Sequence, residues 1–348
     1  MSHQLSEKIS NKSARVGVIG LGYVGLPLAV GLARAGYPVI GLDVDQRKID
    51  SLNRGQSYIP DVPTSDIEPL MKAATEPARG RLSATTDYQM LHTTDVVFIC
   101  VPTPFDAMKA PDLTYVRQAS TAMAPFLHPG HLVILQSTTY PGTTEEVVQP
   151  ILEEYSGLVA GQDLFLAFSP ERIDPGRQDF KVENTPKVVG GINPISAQLA
   201  GEILVALTPQ LHIVSSPRAA EMTKLLENIF RSVNIALVNE LATLSERMDI
   251  DFWEVIEAAK TKPFGFMPFY PGAGVGGHCI PVDPYYLSWK AREYDFYTRF
   301  IELAAEVNGD MPYHTVELIS QGLNSHGKSL HRARILVLGV AFKPNIDD

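Results

Sequence analysis

Residues 16–25 read VGVIGLGYVG. The first four carry no charge and no strong polar group, the pattern of a short strand buried on both faces. The run leads directly into Gly20-Leu21-Gly22-Tyr23-Val24-Gly25, a GxGxxG. Alone that pattern is weak, but its surroundings give it meaning. A helical pattern runs from Tyr23 to Arg34 with Gly36 as its stop, and PVIGLD then predicts a second strand ending at Asp43. Strand, helix and strand together span about thirty residues, the size of one right-handed crossover. In that context Gly20 permits a tight turn, and Gly22 lets a pyrophosphate approach the backbone. Gly25 lets helix and strand pack closely, while Tyr23 and Val24 open the helix N-terminus toward the phosphates. Asp43 is placed to accept hydrogen bonds from ribose hydroxyls, which favours NAD over its 2′-phosphorylated form. Lys48 nearby is the one residue that speaks for the latter.

Moving outward, DVVFICVP (95–102), HLVILQST (131–138), LFLAFSP (164–170) and KVVGG (187–191) read as further buried strands with helical stretches between them. The alternation predicts an α/β fold: a Rossmann-type NAD-binding domain over 15–205, preceded by a flexible tail over 1–14. In open sheets of this kind ligands sit at the carboxyl ends of the strands. That places Pro102, Thr103 and Thr138 among the candidate cofactor contacts. For each threonine taken alone, satisfying local backbone is an equal reading.

Past Pro217 the pattern changes. Residues 218–248 contain no glycine or proline, and their apolar positions recur every three or four residues, predicting one long helix. IDFWEVIEAA gives another helix, and helical character returns over about 285–322. Residues 206–325 are therefore expected to form a central all-helical domain, and a helix as long as 218–248 suits packing along another helix, either within the chain or from a second copy in a homodimer. RILVLGVAF (334–342) reads as the first strand of another nucleotide-binding-type unit, so 326–348 is expected to be the start of a further domain, cut short.

The 348 residues are 45% hydrophobic and 20% charged, an ordinary globular balance, with a formal net charge of −10. That charge argues against a nucleic-acid or anionic membrane surface as partner. No apolar run approaches the ~20 residues of a membrane span, and the polar N-terminus is no secretory signal, so the cytoplasm is the expected location. The two cysteines, Cys100 and Cys279, make no disulfide framework, and no Cys/His cluster suggests a metal. Cys100 falls inside an apolar strand and reads as a buried small side chain.

Cys279 is different. It lies in PGAGVGGHCIPVDP (271–284), behind four glycines and four residues before Asp283. Gly272, Gly274 and Gly276 allow backbone to approach a ligand closely. Upstream, Lys224 and Asn228 in EMTKLLEN are four apart, share one helix face and interrupt an apolar run. A lysine beside an amide can stabilise an oxyanion; a solvated stripe fits the same residues equally well. His278 reads as a loop-packing residue.

Together GLGYVGLPLA (20–29), VPTP (101–104), Ser137-Thr138, SPER (169–172), EMTKLLEN (221–228), GVGGHCIPVDP (274–284) and LGVAFK (338–343) resemble the UDP-glucose/GDP-mannose dehydrogenase family, in order and over nearly the whole chain. The resemblance implies a cytoplasmic, NAD-dependent, four-electron oxidation of C6 of a UDP-sugar, serving polysaccharide (capsule or O-antigen) synthesis. It makes Cys279 the nucleophile, forming a thiohemiacetal and then a thioester. Lys224, Asn228 and Asp283 fall at the positions that stabilise the oxyanion and place water, Glu171 at that of the carboxylate assisting thioester hydrolysis, and Thr138 beside the water. Glu171, Arg172, Lys224, Asn228, Phe269, Tyr270, Gly272, Gly274 and Gly276 are implied as substrate contacts, and Lys343 as a cofactor contact. A C-terminal domain holding the uridine diphosphate is also implied.

The match departs in one place: Glu171 is followed by Arg172-Ile173-Asp174-Pro175-Gly176, where UDP-glucose enzymes tend to carry a segment like FLREG. With TKPFGFMPFYPG (261–272) and YYLSWKAREY (285–294), this points to the UDP-N-acetylhexosamine branch, with N-acetylglucosamine ahead of its galacto and manno epimers. UDP-glucose oxidation, a two-electron β-hydroxyacid-type reaction using Lys224 and Asn228 without a covalent step, and a non-catalytic NAD-binding or dimerisation fragment are the other readings.

Overall fold

The computed structural model describes residues 1–72, 80–106, 108–173, 184–277, 279–339 and 341, the side chains of Lys72 and Cys279 excepted. The chain forms two compact units, Met1–Lys224 and Leu225–Asp348.

The first unit is built on the βαβ predicted above: β1 (Val16–Ile19), a helix that pairs close behind it, and β2 (Val39–Leu42). The strands that follow are β3 (Leu82–Thr85), β4 (Val96–Ile99), β5 (Leu132–Leu135), β6 (Phe165–Phe168), β7 (Lys187–Gly191) and β8 (Leu211–Val214). They make one sheet in the order β3-β2-β1-β4-β5-β6-β7-β8. Every neighbouring pair is parallel except β6 and β7, which run antiparallel with Phe168 opposite Gly190. The chain winds outward from β1 to β3, then returns to β4 on the other side of β1. This reversal makes the β1/β4 crevice a topological switch point. β1, β4, β5 and β6 are buried along their whole length, as expected of parallel strands covered on both faces.

The helices of this unit are α1 (Ser2–Ser10), α2 (Gly25–Arg34), α3 (Gln46–Asn53), α4 (Thr64–Lys72), α5 (Thr114–Met123), α6 (Gln149–Ser156) and α7 (Pro194–Leu204). Asp45 caps α3 and Asn193 caps α7, each accepting from a backbone amide of the first turn. α8 (Pro217–Arg247) contains the boundary between the units. The second unit continues with α9 (Phe252–Lys260), α10 (Cys279–Ala291) and α11 (Arg299–Asn324), so the described secondary structure there is helical.

Three expectations are corrected. The flexible tail is α1, whose Leu5 and Ile9 are buried in the main core; Lys8 pairs with Asp95 at 2.6 Å, and the carbonyl of Ile9 accepts from the Tyr37 hydroxyl. Its two apolar residues lie four apart, enough to seat one helix face but too few to stand out among polar neighbours. The α/β domain runs past 205, because β8 adds a parallel strand beside β7. The strand expected over 334–342 is absent from its described part: 334–339 lies outside any strand, with Leu336, Val337 and Leu338 exposed, because no described strand lies alongside to share its backbone hydrogen bonds.

At the amino edge of β5, His131 is buried against His128, with rings 3.9 Å apart, and its Nδ1 accepts from the His128 amide. Nε2 sits 3.2 Å from the Thr94 hydroxyl. Burial, with His128 next in importance, pushes its pKa down to about 3. The unfolded chain therefore takes up a proton near the ordinary histidine value that the folded chain refuses. Stability is lost as pH falls from about 6.5 toward 3. Urea denaturation across that window should show His131→Gln with a shallower acid slope, by up to about 1.4 kcal/mol per pH unit. For α1, Ile9→Ala should cost about 2–5 kcal/mol in the same assay; no measurable loss would return this segment to the status of a tail.

Candidate active site

The turn after β1 has the geometry a pyrophosphate needs. Gly20 adopts φ +88°, and a Cβ there would stand 2.6 Å from the Cys100 carbonyl oxygen. At Gly25 a Cβ would lie 1.8 Å from the Gly20 carbonyl oxygen, so only glycine lets α2 begin this close to the strand. At Gly22 a Cβ would meet no atom within 4 Å, which leaves open space above the amides that open α2. Tyr23 is exposed beside that space and Val24 is the residue before α2.

Asp43, buried at the end of β2, ties the turn together. Its Oδ2 accepts from the Leu21 amide at 2.9 Å and from Lys48 Nζ at 3.0 Å, and its Oδ1 accepts from the Asp45 amide at 2.9 Å. Lys48 is thus engaged with Asp43. Tyr58, not singled out in the sequence, donates its hydroxyl to the Leu21 carbonyl at 2.7 Å. These residues fit NAD: a glycine cradle at a helix N-terminus, with a carboxylate at the neighbouring strand end.

The same sheet edge carries the loops after β4, β5 and β6. Ser137 donates to the Val101 carbonyl at 2.7 Å and joins the first two of them, with Pro102, Thr103 and Thr138 on either side. Glu171 lies just past β6 and is buried. Its Oε2 accepts from Lys187 Nζ at 2.7 Å and Gln136 Nε2 at 2.9 Å, and its Oε1 accepts from the amides of Arg172 and Ile173. Burial pushes the Glu171 carboxyl up. The Lys187 ammonium, with those hydrogen bonds, outweighs burial and holds the group below its ordinary value. Lys187 and Gln136 escaped the sequence reading, since nothing in KVVGG marks its lysine as buried. Arg172 donates to the Pro186 carbonyl at 2.9 Å, across the same turn.

Glu221, at the start of α8, is fully buried and accepts from the Gly142 amide, the Thr144 amide and the Thr144 hydroxyl at 2.6, 2.9 and 2.7 Å. Burial raises its pKa, partly offset by those three bonds. One turn later Lys224 is only 8% exposed, and its ammonium has no hydrogen-bond or ion-pair partner among the described residues. A cation on so little-exposed a side chain, unpartnered among the described residues, is placed to meet the counter-charge of a ligand.

In the second unit Cys279 is the first residue of α10 rather than part of the glycine loop. Asp283 follows one turn later and is buried, and Asn228 Nδ2 donates to its Oδ2 at 2.5 Å. Two residues 55 apart in sequence, both singled out beforehand, therefore meet. The loop before α10 is anchored from beneath: the Gly272 amide donates to Asn239 Oδ1 at 3.0 Å, Asn239 Nδ2 to Asn308 Oδ1, and Asn308 Nδ2 to the Ser232 carbonyl. Gly274 adopts φ +126° against Asn308 and Pro312, and Gly276 lies within the same half-buried stretch. Phe269 packs edge-on against Phe230, and Tyr270 stacks on Trp253 while donating to Glu257. Asn239 and Asn308 also escaped the sequence reading; a buried amide on each of two apolar helices is the signal that marks them. His278, Asp174 to Gly176 and Lys343 fall outside the described residues. Among the described residues no group of three potential ligands could hold a metal, and no helix is long and apolar enough to cross a membrane.

The two glycines differ in what a methyl group would do. Gly22→Ala should keep wild-type stability and lose at least about tenfold in NAD affinity by calorimetry. Gly25→Ala should be destabilised outright, because the new atom overlaps backbone. Equal melting and equal NAD affinity in both variants would remove the dinucleotide assignment.

Comparison with known proteins agrees with this geometry. Residues 14–208 match the NAD binding domain of the UDP-glucose/GDP-mannose dehydrogenase family, and residues 218–310 match its central domain. A UDP-N-acetyl-D-glucosamine 6-dehydrogenase of Pseudomonas aeruginosa is 40% identical, over 97% of this chain and 77% of its own length. A UDP-N-acetyl-D-mannosamine dehydrogenase of Escherichia coli K12 is 36% identical, over 96% and 79%. The solved structure of a UDP-D-ManNAc dehydrogenase from Pyrococcus horikoshii superposes with a TM-score of 0.83 at 35% identity, covering 90% of this chain and 72% of that one. The chain is an NAD-dependent oxidoreductase of the nucleotide-sugar class and belongs to the UDP-glucose/GDP-mannose dehydrogenase family.

Proposed function

We propose that the protein oxidises C6 of a UDP-N-acetylhexosamine, UDP-N-acetylglucosamine first among them, to the uronic acid through a covalent adduct on Cys279. The observation that carries this reading is the Asn228–Asp283 hydrogen bond. It holds the Asn228 amide of α8 against Asp283, which lies one helical turn beyond Cys279 on α10. The choice of sugar follows the resemblance of segments 172–176, 261–272 and 285–294 and is supported by the named activity of the Pseudomonas aeruginosa relative.

NAD, when bound, supplies the acceptor for the hydride in each of two oxidations. Gly20, Gly22 and Gly25 seat its pyrophosphate, Tyr23 and Val24 flank it, and Asp43 holds its adenosine ribose. Lys48, Pro102, Thr103, Thr138 and Lys343 are the remaining contacts of this reading. Lys224 offers its charge to the C6 oxygen as the alcohol becomes an aldehyde. Cys279, the first residue of α10, adds its sulfur to the aldehyde carbon and forms the C–S bond of a thiohemiacetal. Loss of the second hydride leaves a thioester. Asp283 and Asn228 place the water that releases the carboxylate and returns the thiol, with Glu171 and Thr138 beside it. Arg172, Phe269, Tyr270, Gly272, Gly274 and Gly276 surround the sugar nucleotide. The balance is one alcohol, two NAD⁺ and one water giving one carboxylate, two NADH and three protons.

The exposed stripe Leu226, Phe230, Leu237, Leu241 and Leu244 on α8, continued by Met248 just past it, supports a homodimer formed along that helix. Sedimentation of Leu241→Glu should then show monomer where wild type shows dimer.

Full-length enzyme incubated with UDP-glucose and the three UDP-N-acetylhexosamines should release two NADH per sugar, fastest with UDP-N-acetylglucosamine. Cys279→Ser should lower kcat by about a hundredfold or more. One NADH per sugar, or a serine variant with wild-type turnover, would favour the two-electron reaction instead.

A further inference from the structure

The β6–β7 pair is antiparallel in a sheet that is otherwise parallel, with Ala167 opposite Gly191 and Phe168 opposite Gly190. Three residues further along the same register, Glu171 faces Lys187, and the Ser169 hydroxyl bonding the Val188 carbonyl at 2.8 Å shows that the pairing continues past the strand. The reversal therefore brings the start of β7 to the ligand-binding edge. Lys187 is 0% exposed there, so its ammonium has no water to turn to and lies 2.7 Å from Glu171 Oε2.

A carboxylate has about four in-plane acceptor positions. For Glu171 they are met by Lys187, Gln136 and the amides of Arg172 and Ile173. The Gln136 amide is itself oriented, because its Oε1 accepts from the Cys100 thiol at 3.6 Å, which turns the amide nitrogen toward Glu171. The ionisable groups facing Glu171 among the described residues are Lys187 from β7 and Cys100 from the end of β4. Burial, with Glu171 second, raises the Cys100 thiol well above its ordinary value and keeps it neutral.

We propose that Lys187, assisted by Gln136, is a positioning residue that locks Glu171 as a fixed anion, so that Glu171 serves thioester hydrolysis by its place and charge and not by taking up a proton. This rests on the reading of Glu171 given above and adds residues that act through it. The lock bears on the last step only. The hydride transfers depend on Lys224 and the cofactor site, whereas the hydrolytic water answers to the field at Glu171. Without Lys187 the carboxyl is left buried with neutral partners, binds a proton, and loses both its charge and its fixed orientation.

The test uses full-length enzyme with UDP-N-acetylglucosamine and NAD, following NADH by stopped flow and the protein by intact mass. Lys187→Met should show a burst of two NADH per site and unchanged NAD affinity. It should accumulate an acyl adduct on Cys279 and lose at least about thirtyfold in kcat. That deficit should narrow as pH rises, because the unpaired carboxyl then ionises, and Lys187→Arg should recover most of the rate. A folded Lys187→Met with wild-type kcat, or one that loses the burst itself, overturns the proposal. If Lys187→Met does not fold, Gln136→Leu removes one donor without stranding a charge. It should slow turnover about three- to tenfold with the burst intact, and unchanged turnover there is equally decisive against the proposal. A wild-type enzyme that forms no NADH with any UDP-sugar overturns the functional reading and this role with it.

Discussion

The place that residue 25 leaves for no side chain governs the first unit. With the Gly20 carbonyl oxygen 1.8 Å from where a Cβ would sit, α2 can start only against bare backbone. Its first amides therefore rise directly from the carboxyl end of β1. Two consequences follow from that contact. The amides are left over an open space at Gly22, and the intervening Leu21 amide is presented to Asp43 at the end of β2. One close approach thus couples strand pairing, helix placement and the position of a carboxylate that would otherwise repel nearby phosphates. Asp43 is held by the amides of Leu21 and Asp45 and by Lys48, so its charge is fixed against the turn and partly balanced by the lysine.

Parallel pairing then collects the remaining polar residues. Strands that run the same way deliver their following loops to the same edge, which is why Thr103, Thr138 and Glu171 share a neighbourhood although they are far apart in sequence. The antiparallel β7 is the exception that completes the set. Had it run parallel to β6, Lys187 would open the strand at the opposite edge, and Glu171 would be a buried carboxylate without a cation. A change in the direction of one strand accordingly decides whether Glu171 can be ionised at all.

What the sequence disclosed follows from the range of the forces involved. The βαβ unit, the long helix and the catalytic candidates were legible because each depends on residues close in sequence: periodicity for the elements, glycine spacing for the turn, a four-residue interval for Lys224 and Asn228. Asp283 could be suspected from its distance to Cys279, and its side chain accepts from Asn228. Lys187, Gln136, Tyr58, Asn239 and Asn308 were not legible, since each acquires meaning only from a partner brought to it by tertiary structure. α1 was missed for the converse reason: two apolar residues in a polar segment are a weak signal until a core exists to receive them. The exposed apolar stretch at 335–338 shows the limit of pattern reading, since a β-like run forms no strand where no described neighbour offers backbone partners.

The position of Lys224 has its own physical cause. A lysine whose stem is largely buried tends to turn its ammonium outward on its four carbons, because the free energy of hydration favours escape. Escape is opposed only if the helix carrying it cannot rotate. Glu221, one turn earlier, supplies that constraint: its two oxygens accept three hydrogen bonds from Gly142 and Thr144, and the carboxylate is fully buried. Rotating the start of α8 would strip those bonds from a group that burial already pushes toward protonation. The cost of an unsatisfied buried carboxylate exceeds what Lys224 would gain by reaching water. One buried acid thereby holds the phase of the long helix at its first turn, and the lysine that follows stays directed where the fold places it.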